Sequence, residues 1–481
     1  MVEANWFEDI EAFCRRLHSD LSVLFCHDQP ILVARAPARL ELMGGLAEQT
    51  GSLVLQTTLD RAVVLACQPR HDQSVVVHSL LCCEPHSPGR CQWPLSALYA
   101  GHDRLTRPEQ FVGYFDTVGC AWAKYVASLF YALLEAGHLP HFAGGVSIVF
   151  DSHIPARAGL GASAAIQVAT IQGLCGLFEL PLDALARARL CQRAENITLG
   201  RPAGIADHLT SLLGQPDNLV QLRCQPHQVV GSLPLPQGVR AIGIDSGLRQ
   251  PAGRQRTFDS YTAACMGHHI ITGQTCQTDS ASEPVGGCLA NISPAQFVDR
   301  FRDLLPARIY GHEFLQRYGQ LRCPQLTIVP DRIYKVRSRS EHHIYENRRV
   351  HQFVSCIARA NRTGRDEPLV EAGRVMYASH WSYGQRCGLG TVQTDLLVKH
   401  IRDCGPDEGF YGARLTAGGL GGTVAVLLRD QEQTYQRLEQ VLKFYYEKTG
   451  LQPQCFIGSS PGTEAFGFRR LQWQAPAPHS A

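Results

Sequence analysis

Three stretches of this sequence combine small residues with side chains able to do chemistry. The first, Pro155-Ala156-Arg157-Ala158-Gly159-Leu160-Gly161-Ala162-Ser163-Ala164-Ala165, follows an apolar run and opens a helical pattern. Small residues let backbone amides approach a ligand, and a helix start offers unpaired N–H groups and a dipole that favours anions. Phosphate is the natural guest, although no Gly-Lys-Ser/Thr closes the stretch as in a Walker A loop. The plainer alternative is a tight turn whose small residues only allow helix and strand to pack. The second stretch is Gly200-Arg201-Pro202-Ala203-Gly204-Ile205-Ala206-Asp207-His208, preceded by Glu195. An acid just behind a Gly/Pro loop can serve as a base or as a helix cap. Taken alone, Asp207 reads more naturally as a cap and Glu195 as a solvated helix face. The third stretch, Tyr411 to Thr423, holds Gly418, Gly419, Gly421 and Gly422 before the apolar run Val424 to Leu428. Glycines this dense imply positive φ or a close backbone approach, or simply a turn between two strands.

The elements that must hold these stretches are visible as periodicity. Phe7, Ile10, Phe13, Leu17, Leu21 and Leu24 recur at helical spacing over 6–26. Ile31 to Ala34 reads as a short strand, and Arg35 to Gly45, with its proline, glycines and charges, as a loop. Val54–Thr57 and Ala62–Ala66 look like paired strands, with Val75–His78 continuing the series. Tyr114–Ala136 predicts one long amphipathic helix, Gly145–Phe150 a strand, and Ser163–Phe178 and Leu182–Leu199 further helices. Strands followed by helices make an α+β layout rather than strict βαβ alternation. The Pro-rich punctuation between 225 and 240 suggests a boundary, Thr272–Pro284 a mobile surface loop, and Gln474–Pro478 an unordered tail.

Composition sets the outer bounds. The chain has 481 residues, enough for two or three domains and a large core without disulfide or metal staples. Lys+Arg total 45 and Asp+Glu 43, a balance that gives no reason to expect nucleic acid or an anionic membrane as partner. The 18 cysteines show neither a CxxC pair nor zinc-site spacing. They read as reduced, buried thiols rather than as a secreted disulfide scaffold. Glu3, Asp9, Glu11, Arg15 and Arg16 leave no apolar signal region at the start, and no apolar run is long enough to span a bilayer. A soluble, cytoplasmic protein is expected.

Taken in order, the three stretches resemble the motifs of the GHMP sugar kinases, the family of galactokinase and of homoserine, mevalonate and phosphomevalonate kinases. The middle motif of that family reads Pro-x-x-x-Gly-Leu-Gly/Ser-Ser-Ser-Ala, and Pro155 to Ala164 fits it with Ala162 in place of one serine. The galactokinase signature is echoed in Arg35-Ala36-Pro37-Ala38-Arg39-Leu40-Glu41-Leu42-Met43-Gly44-Gly45. The L-arabinokinase branch of plants shares Met43-Gly44-Gly45, Gly51 to Gln56, Gly243 to Gly247, Ile344 to Asn347 and Cys387 to Gly390. The likeness runs from about residue 30 to 465.

The resemblance implies a two-domain α+β GHMP kinase fold, divided into 1–235 and 236–481, with the active site between the domains. It implies ATP and Mg²⁺ as cofactors, a small sugar as substrate, and transfer to the sugar's anomeric hydroxyl. By position, Gly159, Leu160, Gly161, Ala162, Ser163, Ala164, Gly418 and Gly419 would meet ATP, with Ser163 and Glu195 on the metal. Asp207 would be the catalytic acid facing the anomeric hydroxyl, one spacing residue closer to Gly204 than in galactokinases, with Arg39 beside it. Glu48 stands where the family carries a sugar-binding Asp, Gln49 where it has Tyr, and His208 where a Gln follows the catalytic acid. Ala417 and Leu420 replace smaller or hydroxylated residues of the third motif. Galactokinases carry a Glu-His pair that serves the hydroxymethyl arm of galactose. Gly45 and Leu46 occupy those places and offer no polar side chain, which favours L-arabinose, a galacto-configured sugar without the arm. D-galactose is the alternative substrate, and a non-catalytic ATP- and sugar-binding sensor the alternative class.

Overall fold

A computed structural model describes residues 7–27, 29–80, 89–101, 104–200, 202–249, 253–278, 287–321, 326–417 and 422–472. Helix α1 (Glu8–Ser19) buries Ile10, Phe13, Cys14 and Leu17, the stripe its spacing predicts. It covers a large sheet built from β1 (Ile31–Met43), β2 (Leu53–Pro69), β3 (Ser74–Ser79), β4 (Arg90–Pro94), β5 (Val146–Ser152), β6 (Asn218–Cys224) and β7 (His227–Pro234). A second sheet holds β8 (Val239–Asp245), and a short pair, β9 (Ile309–Tyr310) and β10 (Ile333–Tyr334), stands apart. The second sheet is completed by β11 (Phe410–Leu415), β12 (Thr423–Arg429) and β13 (Gln454–Phe456), in the order β11-β12-β8-β13. The chain then returns to the first sheet, where β14 (Arg469–Leu471) pairs antiparallel with the start of β1.

Arg35 to Met43, expected as a loop, continues strand β1, which is buried along its whole length. The proline does not end the strand because it lies at a register shift against β2, between Pro37 and Arg39. The charges are tolerated because each is met: Arg35 by Asp9 at 2.9 Å, Arg39 by Asp207 at 2.5 Å and Glu41 by Arg414 at 2.7 Å. The two runs expected to pair with each other in fact form the single strand β2. Its first part pairs with β6, its second with β5, and both with β1.

Helices α2 (Pro108–Thr117), α3 (Lys124–Glu135), α4 (Ala162–Leu177), α5 (Ala184–Leu199) and α6 (Ala206–Leu213) share one core with the first sheet, α4 and α6 directly on β1 and β2 and α5 against the other helices. The predicted helix over 114–136 is therefore two, broken at Gly119, whose φ of +70° suits a chain reversal. Residues 272–278, expected as a loop, close the helix Gly253–Thr278, and the rest of that predicted loop lies outside the described residues, as does the predicted tail. A second core gathers Leu46, Phe297, Phe314, Ile344 and Tyr383 beneath helix Val336–Thr363. The cysteines of the described residues are free thiols, most of them buried. No described helix is long and apolar enough to cross a membrane.

Candidate active site

Arg39 joins the first two motifs. From β1 its backbone N–H donates to Leu160 O at 3.0 Å and its Nη1 to Gly159 O at 2.5 Å. Its Nε and Nη2 grip Asp207 Oδ1 and Oδ2 at 2.6 and 2.5 Å, a bidentate geometry that fixes both groups. Gly161 lies against the same side chain, where an added Cβ would come within 3.1 Å of Arg39. Gln56 donates a further bond to Asp207 Oδ1 at 3.0 Å and is itself held by Thr210 at 2.8 Å. Arg39 is buried, while the Asp207 side chain keeps 30% of its surface open. Burial alone would push the Asp207 carboxyl up. The Arg39 charge, with the bonds from Arg39 and Gln56, outweighs that and holds it below the ordinary carboxylate range. It is ionised at neutral pH, and Oδ2, which has fewer donors than Oδ1, is the oxygen best placed to accept from an incoming hydroxyl.

Asp207 is not the helix cap. It sits inside the first turn of α6, whose N-cap is Ile205 without a capping side chain. The cap comes from another part of the chain: Glu48 Oε1 accepts from Ala206 N–H at 2.8 Å. Gly204 makes room for it, since a Cβ there would lie 2.2 Å from Oε1. Burial and the neighbouring charge of Asp207 push the Glu48 carboxyl up to about 7. Gln49 is half-buried, and its carbonyl accepts from the Gln225 side chain.

The predicted phosphate loop opens a genuine helix. Gly161, at φ +77°, is the N-cap of α4 and no side chain caps it, so the first amides keep their capacity for an anion. Ser163 Oγ, in the first turn, donates to Glu195 Oε1 at 3.0 Å. Glu195 is therefore no solvated face, and its neighbour Arg193 pairs instead with Glu135. Glu195 Oε2 lies 3.4 Å from Nε2 of His208, which is fully buried and also meets Gln167 Oε1 at 2.9 Å. Burial pulls His208 down to about 4, so it is neutral at neutral pH. Among the described residues no three His, Cys, Asp or Glu cluster as a metal cage. Ser163 and Glu195 supply an oxygen-only pair of the kind Mg²⁺ takes when phosphate and water complete its shell.

The third motif docks on the first. Thr423, at the head of β12, donates from its hydroxyl to Ala158 O at 2.6 Å. Ala417 and Gly422 take φ +52° and +74°, while residues 418–421, with Gly418, Gly419 and Leu420, lie outside the described residues. Gly45 takes φ +46°, and Leu46 turns into the second core with its N–H on the Tyr383 hydroxyl at 2.8 Å. Sequence reasoning assigned no role to Gln56, Gln167 or Tyr383. A glutamine closing the apolar run Leu53–Leu55 was the one available hint.

Sheet, uncapped helix start and arginine-held carboxylate together suit a phosphoryl-transfer site. The GHMP kinases N terminal domain matches residues 124–215. Beyond that domain, the chain is similar to sugar kinases of the GHMP type along most of its length. It is 31% identical to the L-arabinokinase of Arabidopsis thaliana over 93% of its own length, and it spans 47% of that longer relative. It is 25% identical to the galactokinase of Roseiflexus sp. (strain RS-1), covering 89% of this chain and 91% of that one. Among solved structures, Lactococcus lactis galactokinase complexed with galactose superposes with a TM-score of 0.70 at 18% identity, over 94% of this chain and 98% of that one. Methanococcus jannaschii mevalonate kinase gives 0.54 at 13%, over 88% and 98%. These likenesses show a two-domain α+β fold.

Proposed function

We propose that the chain is an ATP-dependent sugar 1-kinase that phosphorylates the anomeric hydroxyl of L-arabinose. The observation that carries this is Arg39, which bonds at once to the carboxylate of Asp207 and to Gly159 of the phosphate loop. An acceptor hydroxyl at Asp207 and a phosphate at the loop are thereby brought within one side chain of each other. We keep the division at 235/236 and the roles of Gly159 to Ala164, Gly418 and Gly419 as parts of this reading.

Phosphoryl transfer needs positioning and charge stabilisation more than covalent help. The amides of α4 receive the phosphates, and Ser163 with Glu195 would hold Mg²⁺, which supplies positive charge to the phosphate oxygens. Asp207 Oδ2 accepts the hydroxyl proton and aims the oxygen. Its low pKa makes it an orienting group that takes the proton late rather than a strong base. Arg39 keeps it ionised and immobile. Glu48, through its second oxygen, faces the sugar, and Gly45 and Leu46 leave the arm of a hexose without a side-chain partner.

An ADP-release assay with L-arabinose, D-fucose and D-galactose at saturating MgATP tests the reading. Desolvating the extra hydroxyl without a partner costs about 1–3 kcal/mol, so kcat/KM for D-galactose should fall roughly ten- to a hundredfold below L-arabinose. A preference for D-galactose overturns the pentose and leaves a galactokinase. No turnover with any sugar leaves the non-catalytic sensor.

A further inference from the structure

The Tyr383 ring is fully buried and held on several sides. The Arg414 guanidinium stacks over it at 4.9 Å, and His342 meets it edge-on at 4.9 Å. Its hydroxyl accepts the Leu46 N–H at 2.8 Å. That oxygen stands in the space belonging to a side chain at position 45: a Cβ on Gly45 would fall 1.7 Å from it, and 2.8 Å from Glu41 Oε1. Glu41 is in turn close enough to Arg39 and Asp207 to feel both charges. Glu41 lies two residues beyond Arg39 on β1, so the wall at Gly45 runs along that strand from the Arg39–Asp207 pair.

We propose that Tyr383 sets which sugars this pocket admits, its hydroxyl filling the volume that a residue at 45 would use and closing the pocket where a hexose carries its sixth carbon. This rests on the reading of Gly45 as part of the sugar pocket. Glycine at 45 and tyrosine at 383 then form one device, since the hydroxyl tolerates no side chain opposite it. Leu46 packs in the same core as Tyr383 and brings no polar side chain to this corner.

Tyr383→Phe removes the oxygen and keeps the ring under Arg414. The experiment measures kcat/KM for L-arabinose, D-fucose and D-galactose in the wild type and in this variant. D-fucose adds a methyl at the sixth carbon and no hydroxyl, so it separates volume from polarity. The ratio of D-fucose to L-arabinose should rise about tenfold in Tyr383→Phe, as a methyl enters the vacated space. Thermal melts of Gly45→Ala, Tyr383→Phe and the double variant give a readout independent of turnover: the loss caused by Gly45→Ala should shrink in the Phe background. A wild type that prefers L-arabinose, with an unchanged sugar ratio in Tyr383→Phe, overturns this proposal alone. So does a Gly45→Ala loss equal in both backgrounds. A wild type that prefers D-galactose overturns the pentose reading and this proposal with it.

Discussion

Single side chains set the protonation pattern of the site. Asp207→Asn keeps the shape and removes the charge and the proton-accepting carboxylate, so kcat should drop about a hundredfold or more while ATP affinity, read by equilibrium binding, stays close to wild type. Near-normal turnover would place the acceptor's partner elsewhere. Glu48 titrates near neutrality because it is buried beside an ionised Asp207. Its folded value of about 7 lies above the ordinary 4.5, so its contribution to stability is complete below about 4.5 and is lost as pH rises through about 7. Glu48→Gln should remove that slope from unfolding free energies measured between pH 5 and 8 (a range flanking the value of about 7), and flatten the pH dependence of the sugar KM over the same range. A variant as pH-dependent as the wild type would show that Glu48 is not the titrating group.

Helices α4, α5 and α6 act as a set because Ser163, Glu195 and His208 meet in sequence, one from each. Glu195→Gln preserves the bond from Ser163 and removes a charge, so the Mg²⁺ concentration at half-maximal activity should rise several-fold. An unchanged Mg²⁺ titration would reduce Glu195 to a clasp between helices. The loops around these elements were legible in the sequence because glycine and proline punctuate the chain at Gly159, Gly161, Pro181, Gly200, Pro202 and Gly204. Strand β1 was legible only in its first four residues, Ile31 to Ala34, and not in its continuation to Met43. Arg35, Arg39 and Glu41 look solvated until their partners are known, and those partners, Asp9, Asp207 and Arg414, lie in three distant parts of the chain. Gly45 shows the same limit: the sequence reveals the missing side chain but not the tyrosine that replaces its volume.

Across the whole molecule, one arginine ties the two sheets. Arg414, on β11 and fully buried, donates to Glu41 on β1 at 2.7 Å and to Leu42 O at 2.9 Å. It also lies 3.9 Å from Glu346, which is met by Ser379 at 2.6 Å and Arg349 at 2.9 Å. Arg414→Leu would strand the Glu41 carboxylate in the interior, a loss of about 3–5 kcal/mol, read as a lower denaturant midpoint. A midpoint within experimental error of wild type would mean that Glu41 finds another partner or its proton at little cost.

The return of β14 to the edge of β1 bears on how the chain is made. A ribosome delivers Ile31 long before Leu471, the residue that pairs with it. Until then β1 presents an open ladder of backbone groups beside the apolar Ile31 and Val33, and an unpaired edge of that kind invites other strands. The first sheet can assemble during synthesis, yet its rim closes only once residues 469–471 have emerged. A chain stopped at Ser460 should therefore keep both sheets and every site residue described above, and still associate through that rim. Light scattering during refolding of the shortened and full chains would reveal this, and equal scattering from the two would show that α1 shields the edge by itself.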